Sequence, residues 1–461
     1  MNRLVIVLSG VSVLSVVSLP SFARADGISF IRDVAPILKE RCYACHDSKK
    51  KSGKYDMTTF AKLMAGGANG EAIVAGKLAE SDLHALMVTK DERRMPPRDK
   101  GEAVPMEKSA VIAKWIEEGA KLDAGISPQA DLLRELRIRW QPPLPAEKYA
   151  FPAVVTALAF SPDSQRLVTG GTHEVLVWNA ADGKLLQRIR TRAERAYAIV
   201  FLDRSRIAVA GGRPGQEGDV VVYDLGDGRQ SPLDGVNDKA VRKQILFDGD
   251  DSVLCLALSA DGKQLAAGGT DRAIRVWNWE TGKLESTIEN HADWVLGVAF
   301  SADGKKLLSA GRDKLAKIWD LERKEPRQSV PDHQSTVFAV AFRADGTVGY
   351  SVGADRSLRM WRVGGDGKQI RSTAGHGDDV LKLALSPDGK QVATGSVDKS
   401  VRIWEAEKLT QLRTLTGLND VVYTVAFSPD GKRVSGGAYN GNVAVWSVAD
   451  GKIVTQFVVK P

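Results

Sequence analysis

Five consecutive residues, Cys42-Tyr43-Ala44-Cys45-His46, carry the most specific chemistry in the sequence. The spacing sets two thiols on one turn of helix, where they can add to the two vinyl groups of a single haem. The imidazole that follows can reach the iron from the same side. Two other uses of the pair fit less well. A zinc ribbon needs a second cysteine pair, and the third cysteine, Cys255, stands alone within the apolar run Val253-Leu254-Cys255-Leu256-Ala257. A thioredoxin-type pair sits at a strand-to-helix turn, and no strand-like run precedes Cys42. The motif predicts one covalently attached haem c, with thioether bonds at Cys42 and Cys45 and with His46 as an iron ligand.

An electron carrier favours a thioether opposite the imidazole, because a neutral sulfur ligand stabilises ferrous iron and raises the potential. Met57, Met64, Met87, Met95 and Met106 are the candidates, with His84 as a bis-imidazole alternative. Met95 is best placed. It precedes Pro96-Pro97, which fixes an extended backbone that cannot fold into a helix and withdraw the sulfur. Met106 and His84 remain the alternatives.

The elements that must position these ligands are helical. Ile31, Val34, Ile37 and Leu38 form one face of a helix predicted over Ile28–Glu40, leading into the haem motif. Val111, Ile112, Trp115 and Ile116 do the same over Lys108–Gly119, where Gly119 is the stop. Between and around them, landmarks follow in order: Asp33-Val34-Ala35-Pro36-Ile37-Leu38, the haem motif, Gly66-Gly67-Ala68-Asn69-Gly70 with Ile73-Val74-Ala75-Gly76, Ser81-Asp82-Leu83, Met95-Pro96-Pro97, and Trp115-Ile116-Glu117-Glu118-Gly119-Ala120. Over residues 28–122 this order resembles the planctomycete-type cytochrome c domain. The resemblance implies His46 and Met95 as the axial pair. Ala75 stands where that family usually has proline.

Charge is uneven around the motif. Lys49, Lys50, Lys51 and Lys54 follow it, and Arg93, Arg94, Arg98 and Lys100 surround Met95. A positive rim at the haem edge would steer an acidic redox partner; a solvated loop surface has the same composition.

Composition bounds the rest. The chain has 461 residues, a formal charge of +7, 43% hydrophobic and 26% charged residues. These values describe a multidomain globular protein without the basic clustering that nucleic acid requires, so no nucleic-acid partner is expected. Three cysteines exclude a disulfide-built scaffold. Residues 1–25 read as a signal peptide: Arg3, an apolar stretch from Leu4 to Leu19, Pro20, and the small-x-small site Ala23-Arg24-Ala25. No later run spans a bilayer, so the expected location is the periplasm, with no membrane span after cleavage. The domain boundaries that follow are 26–122 for the cytochrome, 123–152 for a proline-punctuated linker containing Trp140, and 153–461 for a repeat array.

In that array the strand-end aromatics Trp178, Tyr223, Trp277, Trp319, Trp361, Trp404 and Trp446 recur at intervals of 45, 54, 42, 42, 43 and 42 residues. Each unit reads apolar strand, Ser-x-Asp-Gly turn, strand, Asp turn, and strand ending in the aromatic. A period in the forties with four short strands is that of a propeller blade, and seven aromatics predict seven blades. This resembles the WD-repeat family. The expected fold is thus a small all-α cytochrome c domain followed by an all-β seven-bladed propeller.

The resemblance implies structural tetrads in three repeats: His291, Ser309, Asp313 and Trp319; His333, Ser351, Asp355 and Trp361; His376, Thr394, Asp398 and Trp404. Repeats one, two, three and seven depart from the pattern at Val168 and Thr172, at Val209, at Ala267, and at Gly436 with Leu418. Those four are expected to be held mainly by apolar packing. His173 alone of the array's histidines lies outside a tetrad, which argues against a second resemblance, to the dihaem nitrite reductases, whose eight-bladed propellers use several central histidines.

The array contains no nucleophile elbow, phosphate loop or repeated metal-ligand cluster, and Asp248-Gly249-Asp250-Asp251 by itself is a weak calcium signal. Two insertions, Gly211–Asp219 and Ser231–Asp251, are expected on one face near blades two and three, where Arg272, Lys314, Arg356 and Lys399 would also lie. That face is the expected site for a protein partner. The sequence therefore reads as a periplasmic monohaem cytochrome that transfers single electrons, with a propeller for docking. The alternatives are an oxidoreductase subunit reacting with substrate at the haem or propeller, and a haem-based redox-sensing scaffold.

Overall fold

The computed structural model describes residues 27–139, 145–226, 242–330, 333–364 and 367–461. The leader, Trp140 and most of the second insertion lie outside these. The chain divides into two compact units, with the division between Arg139 and Trp140. Among the described residues no helix is long and apolar enough to cross a membrane.

The first unit is helical. The segment predicted over Ile28–Glu40 forms a wide π turn, Phe30–Val34, that runs into an α-helix, Ala35–Arg41. Ser29 caps it by accepting from the Arg32 N–H at 3.2 Å. The C-terminal helix spans Met106–Glu117 and meets the first through aromatic rings. Phe30 and Trp115 lie 5.2 Å apart, Phe60 stands edge-on to Phe30 at 5.0 Å, and the Trp115 indole donates to the Lys121 carbonyl at 2.9 Å.

The helix Leu132–Arg139, inside the 123–152 segment expected as a linker, belongs to this unit. Leu132 is fully buried in its core and donates its N–H to the Thr58 carbonyl at 2.9 Å. The Asp123 carboxylate accepts from the Ile31 N–H at 2.7 Å. The chain leaving the C-terminal helix is thus tied back onto the first turn.

Among the described residues the second unit is built of antiparallel β-strands in six sheets. Repeats three to seven each form a four-stranded sheet in chain order, and repeats one and two share one sheet of seven strands. They share it because one 17-residue strand, Leu185–Phe201, is the outer strand of repeat one and the inner strand of repeat two. The inner strands are Leu158–Phe160, the end of Leu185–Phe201, Val253–Leu258, Val295–Phe300, Val337–Phe342, Val380–Leu385 and Val422–Phe427. Each touches the next, and the seventh touches the first. The last sheet also meets the start of the unit: Ala153 donates to the Val459 carbonyl at 2.9 Å and Val155 to Ala438 at 3.2 Å. Trp178 and Phe457 stack there, 4.5 Å apart.

The Ser-x-Asp-Gly segments form the turns between first and second strands. Ser301 donates to Asp303 at 2.6 Å, the same carboxylate oxygen accepts from the Lys305 N–H, and Gly304 takes φ +68°. The turns between second and third strands place Arg272, Lys314, Arg356 and Lys399 in the left-handed region, at φ +67°, +68°, +63° and +71°.

Two expectations about the insertions change. The strand Glu217–Asp224 is followed by Arg242–Gly249, its hydrogen-bonded neighbour in the same sheet. The second insertion therefore joins the third and fourth strands of repeat two, not two blades. It leaves the end of Glu217–Asp224 opposite to the Arg213–Glu217 turn, so the two insertions do not emerge together. Among the described residues, Asp251 at the end of the second insertion returns to the first, accepting from the Gly215 N–H at 2.8 Å.

Candidate functional site: a haem-binding turn and a set of buried polar chains

Cys42 to His46 form a single turn. The N–H groups of Cys45 and His46 both donate to the Cys42 carbonyl at 3.1 Å, and Cys42 itself caps the preceding helix on Leu38. Both thiols are free. Burial pushes the Cys42 thiol up to about 12, and the neighbouring Cys45 adds to the shift. Among the described residues no three His, Cys, Asp or Glu side chains gather as a metal-binding group.

The His46 ring is held by the segment that follows. Its Nδ1 lies 3.2 Å from the Tyr55 carbonyl oxygen, a distance at which Nδ1–H donates and leaves the Nε2 lone pair for a metal. Tyr55 is fixed in turn, its hydroxyl donating to the Leu63 carbonyl at 2.8 Å and its ring edge-on to His46 at 5.6 Å. Met57 donates its N–H to the His46 carbonyl at 2.8 Å and buries its side chain in the core. Gly67 packs against this segment, where a Cβ would stand 2.8 Å from the Gly53 carbonyl and 2.9 Å from Tyr55.

Of the candidate sixth ligands, Met57 and Met87 are buried core residues and Met106 is 87% exposed at the start of its helix. Met95 is 41% exposed, and its N–H is anchored on the Leu86 carbonyl at 2.8 Å. Arg94 holds the loop around it, donating to the Pro96 carbonyl at 3.1 Å and to Gly101 at 2.9 Å. Arg98 donates to Lys90 at 2.8 Å. Part of the basic rim is thus tied up in shaping the Met95 loop. His84 is half-buried, and burial holds its imidazole below the ordinary value.

These residues fit a haem c: two thiols on one turn, an imidazole with its outer nitrogen engaged, and apolar Val88 and Met95 presented on the surface.

In the β unit the three predicted tetrads are continuous hydrogen-bond chains. In repeat four the Trp319 indole donates to Ser309 at 2.7 Å, Ser309 lies 2.7 Å from His291 Nε2, and Nδ1 lies 2.9 Å from Asp313. Repeat five gives 3.2, 2.8 and 2.9 Å, and repeat six 2.8, 2.7 and 2.9 Å. One tautomer satisfies every member: Nδ1–H donates to the carboxylate and Nε2 accepts from the hydroxyl. Asp313, Asp355 and Asp398 all lie below the ordinary carboxyl value. Burial pushes each of them up, and their hydrogen bonds and neighbouring cations outweigh it.

Repeats one, two and seven are not held by apolar packing alone. In repeat one the Trp178 indole donates to Thr169 at 2.9 Å. The turn after Thr169 is one residue shorter than in repeats four to six, so counting back ten from Trp178 lands on Val168 and misses it. Glu174, fully buried, is clamped there by Arg188 at 2.8 Å and by the Tyr149 hydroxyl. In repeat two Arg192 pairs with Asp248 at 2.8 Å, and its backbone N–H donates to the Tyr223 hydroxyl at 3.1 Å. Asp248, part of the acidic run read as a weak calcium signal, is thereby an ion-pair partner. Repeat seven satisfies the Trp446 indole on the Thr416 carbonyl at 3.1 Å. The sequence signal for these networks is the alternation Arg188, Arg190, Arg192 along a strand, which periodicity alone reads as a solvated face.

Comparison with known families agrees with this division. A family described as Planctomycete cytochrome C matches residues 42–99. The WD domain, G-beta repeat, matches 148–179, 242–278, 282–320, 324–362, 367–405 and 409–447. Those six segments pass over repeat two, where Tyr223 replaces the tryptophan. A Drosophila melanogaster protein, WD repeat-containing protein 26 homolog, is 27% identical over 137 residues, which is 29% of this chain and 19% of that protein. The Arabidopsis thaliana transcriptional corepressor LEUNIG_HOMOLOG is 50% identical over 40 residues, 9% of this chain and 5% of its own length. The chain thus spans a fifth or less of these curated relatives. With the Cys42–His46 turn in one unit and the repeated tetrads in the other, the chain joins a planctomycete-type cytochrome c domain to an array of WD repeats.

Proposed function

We propose that the chain is a periplasmic monohaem c-type cytochrome whose helical unit transfers single electrons and whose WD repeats close into a seven-bladed propeller that docks a partner protein. The observation that carries this reading is the His46 ring, oriented by the Tyr55 carbonyl one residue after the second thiol. Cys42 and Cys45 would hold the haem covalently, and His46 and Met95 would be its axial ligands. The haem iron, when bound, supplies a one-electron ferric–ferrous couple. The chain of contacts through the seven inner strands, from the last back to the first, supports the closed ring. The leader supports export, which fits covalent haem attachment outside the cytoplasm.

The test is expression with the leader intact. One haem per chain should survive denaturing electrophoresis of the periplasmic fraction, disappear in a Cys42→Ala/Cys45→Ala variant, and titrate as a one-electron couple. A chain that matures without covalent haem would overturn the reading. The exposure of Met95 favours a second reading, an oxidoreductase subunit whose sixth position opens to substrate. Fast, stoichiometric carbon monoxide binding to the ferrous protein would favour that second reading.

A further inference from the structure

The inner strands share one burial pattern. The first position of each is buried between sheets, as at Val253, Val295 and Val380. The second position keeps partial exposure in every repeat and carries large apolar side chains in six: Tyr197, Leu254, Leu296, Phe338, Leu381 and Tyr423. Each inner strand touches the next around the set, so in the closed ring these residues would border the opening the strands enclose.

The third position is marked in six repeats by a register shift just before it, as at Val253/Cys255 and Val380/Lys382. It is small almost everywhere: Ala157, Ala198, Cys255, Gly297, Ala339 and Thr424. Repeat six alone breaks the rule, with Lys382. Its side chain keeps partial exposure, unlike the buried third positions of the other repeats, and its ammonium lies within electrostatic reach of the Cys255 thiol of repeat three. Cys255 is no counter-ion. Its thiol is committed to the Gly268 carbonyl, and burial pushes it up to about 12. Among the described residues no carboxylate pairs with Lys382, and burial pushes its ammonium down.

We propose that this opening is a binding site for a small aliphatic carboxylate, with the headgroup on Lys382 and the hydrocarbon against the second-position ring. An enclosed cation lacking a counter-ion gains most from an anion, and the apolar ring selects one with a hydrocarbon body. The lysine carries the charge, and its counterparts in the other six repeats are small. This site rests on the closed ring proposed above.

The test uses the full-length, haem-loaded protein with octanoate and octanol as probes, titrated by calorimetry. Octanoate should bind one per chain, octanol at least tenfold more weakly, and Lys382→Met should weaken octanoate at least tenfold while leaving octanol unchanged. Lys382→Arg should retain octanoate binding. Equal octanoate affinity in the parent and Lys382→Met, or no octanoate binding to the parent, would overturn the site. Small-angle scattering on the same samples separates the two readings. A compact ring profile without octanoate binding removes the ligand site alone, whereas an open array of sheets removes both.

Discussion

Arg359 donates from Nη2 to Oδ2 of Asp355 at 2.9 Å, the same oxygen that His333 Nδ1 reaches at 2.9 Å. In repeats four and six the corresponding cations, Lys317 and Arg402, stay 3.7 and 3.6 Å from their aspartates. Repeat five is therefore the one of the three whose aspartate takes a direct hydrogen bond from that cation. Asp355→Ala should leave two buried donors without their partner and cost on the order of 1–3 kcal/mol. Thr172→Ala, which removes an exposed side chain, should stay within about 0.5 kcal/mol. Urea denaturation of the two variants checks this, and equal losses would refute it.

The same carboxylates give the protein an acid limit. Asp313, Asp355 and Asp398 are held below their ordinary value in the folded state. The unfolded chain, with carboxyls near about 3.9, takes up protons first as pH falls. Their contribution is complete above that value and is lost as pH drops towards the folded values. The urea midpoint should decline below about pH 4, and Asp355→Asn should decline less steeply than the parent over that window. A variant that tracks the parent throughout would count against the tetrads as the source.

Repeat one depends on a buried ion pair. Arg188→Met would leave Glu174 enclosed with only the Tyr149 hydroxyl, and should cost about 3–5 kcal/mol. The double variant Arg188→Met/Glu174→Leu should recover much of that loss, because an apolar pair has no charge to desolvate. A double variant no more stable than the single one would mean that the site needs its charges.

Met95 is tested by its optical signature. The oxidised protein should show the weak near-infrared sulfur-to-iron band, and Met95→Ala should abolish it and lower the potential. Persistence of the band in that variant would transfer the assignment to another methionine.

For the rim, the useful reversals are at Lys49, Lys51 and Lys54, which are exposed, rather than at Arg94 and Arg98, which hold loop carbonyls. Changing these three to glutamate should slow reduction by an acidic donor at low salt and leave the haem spectrum unchanged. The difference should shrink as the screening length falls to about 8 Å near physiological ionic strength. Rates indifferent to both charge and salt would make the rim an ordinary solvated surface.

Much of this was legible in the sequence because the relevant residues sit at fixed spacings. The haem turn is five contiguous residues, and the tetrads recur with the same offsets from His to Trp. What escaped depends on relationships that spacing does not encode. Thr169 was missed because one turn lost a residue, and Glu174 meets Tyr149 and Arg188 only after two strands and the segment before the first repeat have come together. The helix Leu132–Arg139 falls inside the proline-punctuated segment expected as a linker, yet Leu132, with Leu133 and Leu136 beside it, anchors it in the helical core. The side of the array on which the second insertion leaves was misjudged for the same reason, since Arg242–Gly249 is a fourth strand by pairing rather than by sequence pattern.

The strand Leu185–Phe201 also decides how the array comes apart. Elsewhere the link between neighbouring repeats is a loop, as at Asn290–Trp294, and one sheet can in principle loosen while the next stays paired. Between repeats one and two there is no such joint: the backbone passes from pairing with Thr172 at Arg195 directly to pairing with Gly211 at Ala196. Those two repeats must open and close together, as a double-length cooperative unit at the start of a chain of single ones. Amide hydrogen exchange should show one shared opening energy across them, and a polypeptide cut within this strand should lose both sheets, whereas one cut at Asn290–Trp294 can be reassembled from its halves.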